Sequence, residues 1–251
     1  SFLSIPYVIW MALFTVAPIV MVVVYAFTGE AGGVTMENFA DMGSYAVVFG
    51  RSFKLAFIAT VICVLVGYPV SYMMAKEGPG FQRIAMMLIM LPMWINFLLR
   101  TIATVELFRM FGLPLGEGAL LFGMVYDFLP FMIYPIYNTL QKMDTSLIEA
   151  AHDLGAKRHQ VFLKVTLPLS VPGIYSGIVM VFMPTVSTFA IAELLTMNNI
   201  KLFGTTVQEN IYNGMWNYGA ALSLIMLLLI GVTILFTNEE DSASNESGGV
   251  I

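Results

Sequence analysis

The sequence predicts an all-α integral membrane protein with six transmembrane helices. Apolar residues make up 59% of the 251 residues and charged residues only 11%, whereas soluble domains average about 45–50% and about 25%. The mean hydropathy is +0.84. The apolar runs are also continuous rather than alternating with a period of two, which favours membrane helices over a membrane β-barrel.

Six apolar runs are long enough to cross a bilayer, because a helix needs roughly 20 residues to span about 30 Å of hydrocarbon. We place the spans at residues 5–27, 53–75, 84–108, 118–140, 168–195 and 218–237. The first run is too long for the apolar region of a signal peptide and has no basic segment before it, so we expect it to be a span. We therefore expect one transmembrane domain over 1–237. The acidic, Ser- and Gly-rich residues 238–251 are expected to form a disordered cytoplasmic tail.

The distribution of basic residues predicts the orientation of the spans. Loops two–three and four–five carry six Lys and Arg residues, and the other three loops carry four. By the positive-inside rule, the first two loops are cytoplasmic, and with six spans both termini are then cytoplasmic as well. The basic residues of the two cytoplasmic loops are Lys76, Arg83, Lys142, Lys157, Arg158 and Lys164.

The sequence lacks the motifs of an enzyme or a metal site. An ATP-hydrolysing chain needs a G-x4-G-K-[ST] loop, and the dipeptide Gly-Lys never occurs here. The motifs H-E-x-x-H, C-x-x-C and G-x-S-x-G are absent as well. His152 and His159 are read as polar loop residues, and the single Cys63 as a small buried apolar residue. We expect no catalytic residue, no bound metal and no cofactor on this chain.

The loop 141–167 between the fourth and fifth spans predicts two short helices. Ser146 and Glu149 have the spacing of a capping box, so a helix is expected to follow as far as Leu154. Gly155 then permits the left-handed conformation with which helices commonly end.

A second short helix is expected at 156–165, and Pro168 is expected to begin the fifth span, where its missing N–H is tolerated. The loop would then form a compact hairpin that projects from the membrane. An ordinary amphipathic hairpin at the interface is the alternative.

The same loop resembles the E-A-A-x3-G-x9-I-x-L-P signature of ABC importer permeases, with Val in place of Ile. The spacing agrees at every fixed position and lies between the expected pair of spans. The residues that carry the match are Glu149, Ala150, Ala151, Gly155, Val165, Leu167 and Pro168.

The resemblance implies the type I importer permease fold, in which this segment is a coupling helix that docks into a cytoplasmic ATPase. Glu149, Ala150 and Ala151 would then contact the ATPase, and Gly155 would shape the bend. The implied partners are a second, homologous permease, a homodimeric ATPase that binds ATP and magnesium, and an extracellular substrate-binding protein. The implied location is a bacterial plasma membrane.

Further segments resemble the spermidine/putrescine importer permeases most, namely 67–76, 91–100 and 125–144. This resemblance implies import of polyamines. Three alternatives remain open: an importer of another solute, such as an anion recognised by Arg100 or a metal ion, a gradient-driven secondary transporter, and a membrane scaffold without transport.

Ionisable residues within spans cost roughly 2.5–3.5 kcal/mol each at the membrane centre, so they are candidates for function. Asp127 lies about 14 Å into the fourth span, close to the midplane. It could help a cation to cross, with aromatic faces nearby for cation–π contact. Alternatively, it could pair with Arg100 on the neighbouring helix and fix the helix register. The candidate pathway residues are Asp127, Arg100, Trp94, Tyr126, Tyr134 and Glu193, the last of which could instead be solvated at the outer end of its span.

Overall fold

The computed structural model describes residues 5–29, 32–40 and 42–247, and side chains as far as residue 232. The described part is helical apart from turns and one isolated antiparallel bridge between Thr28 and Val34. The predicted all-α class is therefore confirmed. The chain divides into two compact units, one of Ser1–Gly50 with Leu202–Ile251 and one of Arg51–Lys201.

The helices follow one another with short connections. They are α1 (Ile5–Ala26), α2 (Ala46–Lys76), α3 (Pro79–Met90), α4 (Phe97–Met110), α5 (Glu117–Gln141), α6 (Thr145–Asp153), α7 (Arg158–Ser187), α8 (Ala190–Thr196), α9 (Phe203–Tyr212) and α10 (Trp216–Ser247). Short 3-10 segments occur at Glu37–Phe39, Met42–Tyr45 and Leu91–Trp94.

Four helices among the described residues are long and apolar enough to cross a membrane, namely α1, α2, α5 and α7. The bent pair of α3 and α4 adds a fifth if it is counted as one span. In α10 the side chains are described only as far as Val232, and the apolar stretch Trp216–Val232 within that part is shorter than this. The structure therefore supports four to five spans, and the count of six stays a prediction.

The third predicted span, 84–108, is wrong as one continuous helix. The axes of the segments Pro79–Trp94 and Phe97–Met110 differ by 93°. Pro92 lies in a tight 3-10 turn, and Ile95 and Asn96 are extended with ψ of 137° and 131°. Asn96 then caps the new helix, because its side chain accepts a hydrogen bond from the Leu98 N–H at 2.9 Å.

The fifth predicted span, 168–195, is wrong at both ends. The helix begins at Arg158 and ends at Ser187, and Thr188 is extended with ψ of 140°. The short helix α8 follows and ends at Met197, which has a left-handed backbone. Pro168 therefore lies inside a helix rather than at its start.

A widened turn precedes two of the prolines that lie inside helices. In α1 the π-helical turn Ala12–Val16 comes before Pro18, and in α7 the turn Phe162–Thr166 comes before Pro168. A proline in a helix lacks an N–H and clashes with the carbonyl four residues back. The extra residue in the π turn relieves that clash, so both helices continue.

The first unit is built around the contact between α1 and α10. Ala26 lies against Ala220, Ala221 and Leu224, and the small side chains of the alanines let the helices approach closely. Asn38 fixes the connection after α1 by donating hydrogen bonds to two carbonyls of the chain before it, Ala26 at 2.9 Å and Thr28 at 3.0 Å.

The second unit packs around α5, which lies against α7 along its length and also contacts α2. Two glycines of α7 permit the close approach. A Cβ at Gly173 would lie 2.5 Å from Thr139 Oγ1, and one at Gly177 would lie 2.6 Å from Met132 Sδ. The buried residues at this centre are Cys63, Tyr68, Met132, Ile136, Leu140 and Val181.

The helix α10 continues to Ser247, into the stretch 238–251 for which the sequence predicts a disordered tail. Residues 248–251 lie outside the described part. Disorder of this tail stays a prediction.

Candidate functional site

A cavity of about 640 Å³ lies within the second unit, where two chain segments leave the helical conformation. The lining comes from the break between α3 and α4, from the break between α7 and α8, and from α5. Broken helices are tolerated at membrane depth where their backbone lines a cavity, and transporters often bind substrates at such breaks. The residues around the cavity are Met93, Trp94, Ile95, Asn96, Phe97, Arg100, Asp127, Phe128, Phe131, Pro184, Ser187, Thr188, Phe189, Ala190 and Ile191.

An ion pair lines this cavity. Arg100 Nη2 lies 3.1 Å from Asp127 Oδ1, and the two side chains are only 8% and 3% exposed. The hydroxyl of Thr101 donates a hydrogen bond to the other carboxylate oxygen, Asp127 Oδ2, at 3.4 Å. The guanidinium carbon of Arg100 lies 5.7 Å from the centre of the Tyr126 ring. Asp127 is thus both paired and part of the cavity wall.

The pairing of Arg100 is incomplete. Within the described part of the chain, its Nε and Nη1 atoms are buried without a hydrogen-bond partner, and so is Asp127 Oδ1, apart from the ionic contact. Buried charges are well compensated only when the remaining donors and acceptors also find partners. This cavity therefore holds donor and acceptor groups that a bound solute or water can satisfy.

The predicted pathway residues are only partly brought together. Arg100, Asp127 and Trp94 line the cavity, and Trp94 is 83% exposed at its edge. Tyr126 is not part of the cavity lining, but its ring contacts the lining residue Arg100. Two further candidates are not part of the lining: Tyr134, which is partly exposed on α5, and Glu193, which is exposed on α8.

Twelve of the 15 lining residues were missed by the sequence reasoning, among them Phe128, Phe131, Asn96 and Phe189. Phe128 and Phe131 lie on α5 with ring centres 6.4 Å apart, and Asn96 and Phe189 lie at the two helix breaks. Phe131 lies four residues after Asp127 on α5, and this spacing gave a usable signal for Phe131 alone. Asn96 and Phe189 become lining residues only because of the breaks, which the hydropathy pattern does not show.

The loop between α5 and α7 forms the second candidate site, a hairpin made of α6 and the turn that follows it. The N-cap of α6 is Asp144, whose carboxylate accepts a hydrogen bond from the Ser146 N–H at 2.9 Å. This bond, and a weaker one from the Ser146 hydroxyl, lower the pKa of Asp144. The predicted capping box between Ser146 and Glu149 is wrong, because the earlier Asp144 occupies the cap and places Ser146 inside the helix.

The end of α6 agrees with the sequence prediction. Gly155 has φ of +83°, in the left-handed region, and its N–H bonds to the His152 carbonyl at 2.9 Å. The Ala156 N–H bonds to the Ala151 carbonyl at 3.1 Å, which completes a Schellman motif. A residue with a Cβ resists this conformation, so glycine is favoured at this turn.

The predicted second short helix at 156–165 is wrong as a separate element. The Lys157 N–H bonds to the side chain of Gln160 at 2.9 Å, and α7 begins at the next residue. From there the helix continues through its π turn into the apolar part. The hairpin is thus directly joined to a helix that ends at the cavity.

The hairpin presents an unusually open surface. None of the residues of α6 is buried, Glu149 and Ala150 are exposed, and Ala151 is half-buried. Two apolar side chains are also exposed, Leu147 by 48% and Leu154 by 89%. Leu167 and Pro168, which close the sequence signature, lie on α7 beyond the π turn.

An aromatic cluster connects the start of α7 to α2. The ring of Phe162 meets those of Tyr68 and Tyr72 edge-on, with centres 5.9 Å and 5.2 Å apart. The Tyr68 hydroxyl also shares a 3.0 Å hydrogen bond with Ser170 Oγ. Because such contacts fix both position and orientation, the hairpin end of α7 is held firmly against α2.

A comparison with known families decides the relationship of the chain. The family described as "Binding-protein-dependent transport system inner membrane component" matches residues 67–238. The chain belongs to this family. The resemblance predicted from the sequence is therefore confirmed, and the protein is a multi-pass membrane subunit of a transport system.

Relatives in this family cover most of the chain. The spermidine/putrescine transport system permease protein PotB of Haemophilus influenzae is 33% identical over 90% of this chain and 88% of its own length. PotB of Escherichia coli K12 is 30% identical over 90% of this chain and 92% of its own. The PotB homolog of Mycoplasma genitalium is 27% identical over 94% and 90%.

Solved structures of ABC transporters share the fold. A bacterial ABC transporter that imports alginate superposes with a TM-score of 0.71 at 18% identity, covering 95% of this chain and 93% of that chain. The MetNI methionine ABC transporter in an inward-facing conformation gives a TM-score of 0.65 at 19% identity, covering 83% and 98%. At such low identity the likeness concerns the fold alone.

Proposed function

We propose that the chain is the permease subunit of an ATP-driven polyamine importer and forms half of its translocation pathway. The exposed α6 hairpin carries the ATP-driven part of this proposal, because it combines the signature spacing, a left-handed Gly155 and unburied Leu147 and Leu154. Exposed apolar side chains beside the signature residues suit a surface that docks onto a protein partner. The polyamine part rests on the relatives named as spermidine/putrescine permeases.

In this proposal the chain works with a second, homologous permease, a homodimeric ATPase and an extracellular binding protein that delivers spermidine or putrescine. ATP and magnesium bind to the ATPase, whereas this chain binds no cofactor, no metal and no nucleic acid. The complex lies in a bacterial plasma membrane, with six spans in this chain and both termini in the cytoplasm.

The proposed coupling follows the chain from the hairpin to the cavity. Glu149, Ala150 and Ala151 contact the ATPase, and its closure moves α6. The movement passes into α7, whose far end lines the cavity at Ser187. The two-permease pathway then switches between inward-facing and outward-facing states, a two-state equilibrium that ATP binding biases.

The proposed pathway uses the cavity and its approaches. Asp127 offers a negative charge, and Trp94 with the neighbouring phenylalanines offers aromatic faces, which together suit ammonium groups on methylene chains. Arg100 forms an ion pair with the Asp127 carboxylate, and Tyr126 lies beside Arg100. Tyr134 and Glu193 are proposed for the approaches, since they lie outside the cavity lining.

One observation favours a second candidate, an importer of a solute with an anionic group. The unpartnered Nε and Nη1 of Arg100 are donors that a carboxylate or phosphate would satisfy. Binding of spermidine, putrescine, a dicarboxylate and phosphate to the purified substrate-binding partner separates the two candidates. Binding of the anions alone would overturn the polyamine assignment.

The first experiment is purification of the tagged chain from its membrane in mild detergent, with identification of the proteins that accompany it. We expect an ATPase and a second permease in stoichiometric amounts. A chain that purifies alone, or only with itself, would favour a gradient-driven transporter and contradict the proposal.

The coupling role is tested by Glu149→Lys and Gly155→Asp, which alter the hairpin surface and the turn. Both variants are expected to insert normally and to lose ATP-dependent uptake of spermidine. Gly112→Asp is the matched control, because Gly112 also has a left-handed backbone, φ +64°, but lies in the turn after α4. Normal uptake in both hairpin variants would rule out this coupling.

A further inference from the structure

We infer that Arg100 is a built-in competitor of the substrate: it occupies the Asp127 carboxylate in the empty cavity and is displaced by an ammonium group of the solute. The inference rests on the proposed import of polyamines and assigns to Arg100 a role in setting how tightly the cavity holds them. It depends on the charges in the cavity, the incomplete pairing of Arg100 and the position of this residue on α4.

The cavity contains opposite charges that cancel. Of the described residues in its lining, only Arg100 and Asp127 carry ionisable side chains, and the two form an ion pair. An entering cation therefore meets no net negative charge until the pair separates. The carboxylate becomes available only when the guanidinium moves away.

The guanidinium is held by fewer contacts than the carboxylate. Its recorded contact with the carboxylate is a single one, Nη2 to Oδ1 at 3.1 Å, and its Nε and Nη1 have no hydrogen-bond partner in the described part of the chain. A bidentate pair, which holds an arginine in one geometry, is not formed. The carboxylate is tied further, because Thr101 donates to its other oxygen.

The position of Arg100 in α4 also weakens its ion pair with Asp127. It lies at the end of the first turn of α4, which begins at Phe97. The positive end of a helix dipole disfavours a cation there. The face of the Tyr126 ring, 5.7 Å from the guanidinium carbon, offers a second place where the charge is stabilised. Displacement therefore moves Arg100 to an existing contact rather than leaving it without one.

Competition of this kind gives a transport site a useful property. A site on a pathway must bind the solute well enough to admit it and weakly enough to release it. A polyamine must replace Arg100 at Asp127. Its binding free energy therefore contains only the difference between the energies of the two ionic contacts. The aromatic walls at Trp94, Phe128 and Phe189 then contact its methylene groups without adding charge.

Equilibrium binding of radiolabelled spermidine tests the inference, with the complete importer in lipid nanodiscs and without the binding protein. Arg100→Gln is expected to bind spermidine at least about tenfold more tightly, a difference of about 1.4 kcal/mol. Asp127→Asn and the double variant Arg100→Gln/Asp127→Asn are expected to lose this binding. Arg109→Gln is the matched control on the same helix, because Arg109 forms an exposed pair with Glu106, and its binding is expected to equal that of the wild type.

A second measurement uses the wild-type importer, so it does not depend on the folding of a variant. An arginine-selective dicarbonyl reagent modifies guanidinium groups, and mass spectrometry of peptides locates the modification. Spermidine is expected to increase the modification of Arg100 several-fold and to leave Arg109 unchanged. Protection of Arg100 by spermidine, or no change, would overturn the inference.

The remaining outcomes separate this inference from the proposed function. Unchanged or weaker binding by Arg100→Gln, in an importer that still takes up spermidine with its binding protein and ATP, would overturn the competition and leave the function standing. Weaker binding would mean that Arg100 itself contacts the solute. Absence of polyamine uptake by the wild-type importer would instead overturn the proposed function.

Discussion

Arg100 and Asp127 show how a buried charge is tolerated in an otherwise apolar chain. Each side chain is more than nine-tenths buried, and each depends on the other for its charge partner. Removing one member of such a pair leaves an uncompensated charge, whereas removing both can be nearly neutral. The effect of a substitution at Arg100 on stability therefore depends on the residue at position 127, and the reverse also holds.

This coupling gives a prediction for stability. Asp127→Leu is expected to destabilise the purified chain by roughly 3–5 kcal/mol, because it leaves the Arg100 guanidinium buried without an anion. The double variant Arg100→Leu/Asp127→Leu is expected to recover most of that loss. Thermal unfolding of the wild type, Asp127→Leu and the double variant in the same detergent measures their order of stability. A double variant less stable than Asp127→Leu would show that the two residues are not coupled.

The cap of α6 gives a prediction for pH dependence. Hydrogen bonds from Ser146 hold the pKa of Asp144 below its ordinary value, so the ionised cap stabilises the folded helix. That stabilisation is present above the ordinary value of about 3.9 and is lost as the pH falls through the lowered folded pKa. Hydrogen exchange of residues 145–153, corrected for intrinsic rates, is expected to lose protection in that acidic range.

Asp144→Asn provides the control for this effect, because an asparagine also caps a helix but does not titrate. Its α6 is expected to keep the same protection on both sides of the acidic range. If the variant lost protection as the wild type does, another group would be responsible.

At the scale of helices, Gly173 and Gly177 set the distance between α5 and α7. Gly173→Ala would place a Cβ 2.5 Å from Thr139 Oγ1 and 2.9 Å from the Pro135 carbonyl oxygen. Because the carbonyl belongs to the backbone, the helices must separate, and we expect a loss of about 1–3 kcal/mol in the free energy of unfolding. Thermal unfolding is again the measurement.

Gly231→Ala is the matched control within α10, since a Cβ there has no heavy atom within 4 Å. We expect stability to stay the same or to rise by up to about 1 kcal/mol, because alanine is the better helix former. Equal destabilisation by both substitutions would contradict the packing argument.

Two helices were predicted with bounds within one residue of the structure, although both contain prolines. The helix α1 was expected at 5–27 and is found at Ile5–Ala26, and α5 was expected at 118–140 and is found at Glu117–Gln141. In both cases helix and apolar run coincide, because burial in lipid and backbone hydrogen bonding favour the same residues.

The two breaks that build the cavity could not be predicted in the same way. Hydropathy stays high across Pro92–Ile95 and across Thr188, and what ends the helices there is a 3-10 turn, the Asn96 cap and an extended Thr188. These are backbone effects that a count of apolar residues does not register. The sequence therefore predicted the charged lining residues Arg100 and Asp127. It did not predict the lining residues Asn96 and Phe189, which lie at the breaks.

At the scale of the whole molecule, the bent pair of α3 and α4 determines the topology. Counted as one span, it places three crossings between Val34 and Leu154, and counted as a re-entrant loop it leaves two. The two positions then lie on opposite sides of the membrane in the first case and on the same side in the second.

Cysteine labelling measures this directly, since Val34 and Leu154 are 92% and 89% exposed. In right-side-out cells, Val34→Cys is expected to react with an impermeant maleimide, and Leu154→Cys only after permeabilisation. The wild-type chain is the control, because its single cysteine, Cys63, is fully buried. Reaction of both variants from the outside would contradict the six-span topology.

The uninterrupted course of α7 has a consequence for how the gene can change. The helix has 30 residues, about 45 Å, with the α6 hairpin at one end and the cavity at the other. A codon gained or lost anywhere along it would rotate one end against the other by about 100°, so that either the hairpin or Ser187 would face the wrong way. Homologous genes are therefore expected to carry insertions and deletions in the connections around α7, while α7 itself keeps its length even where its residues differ.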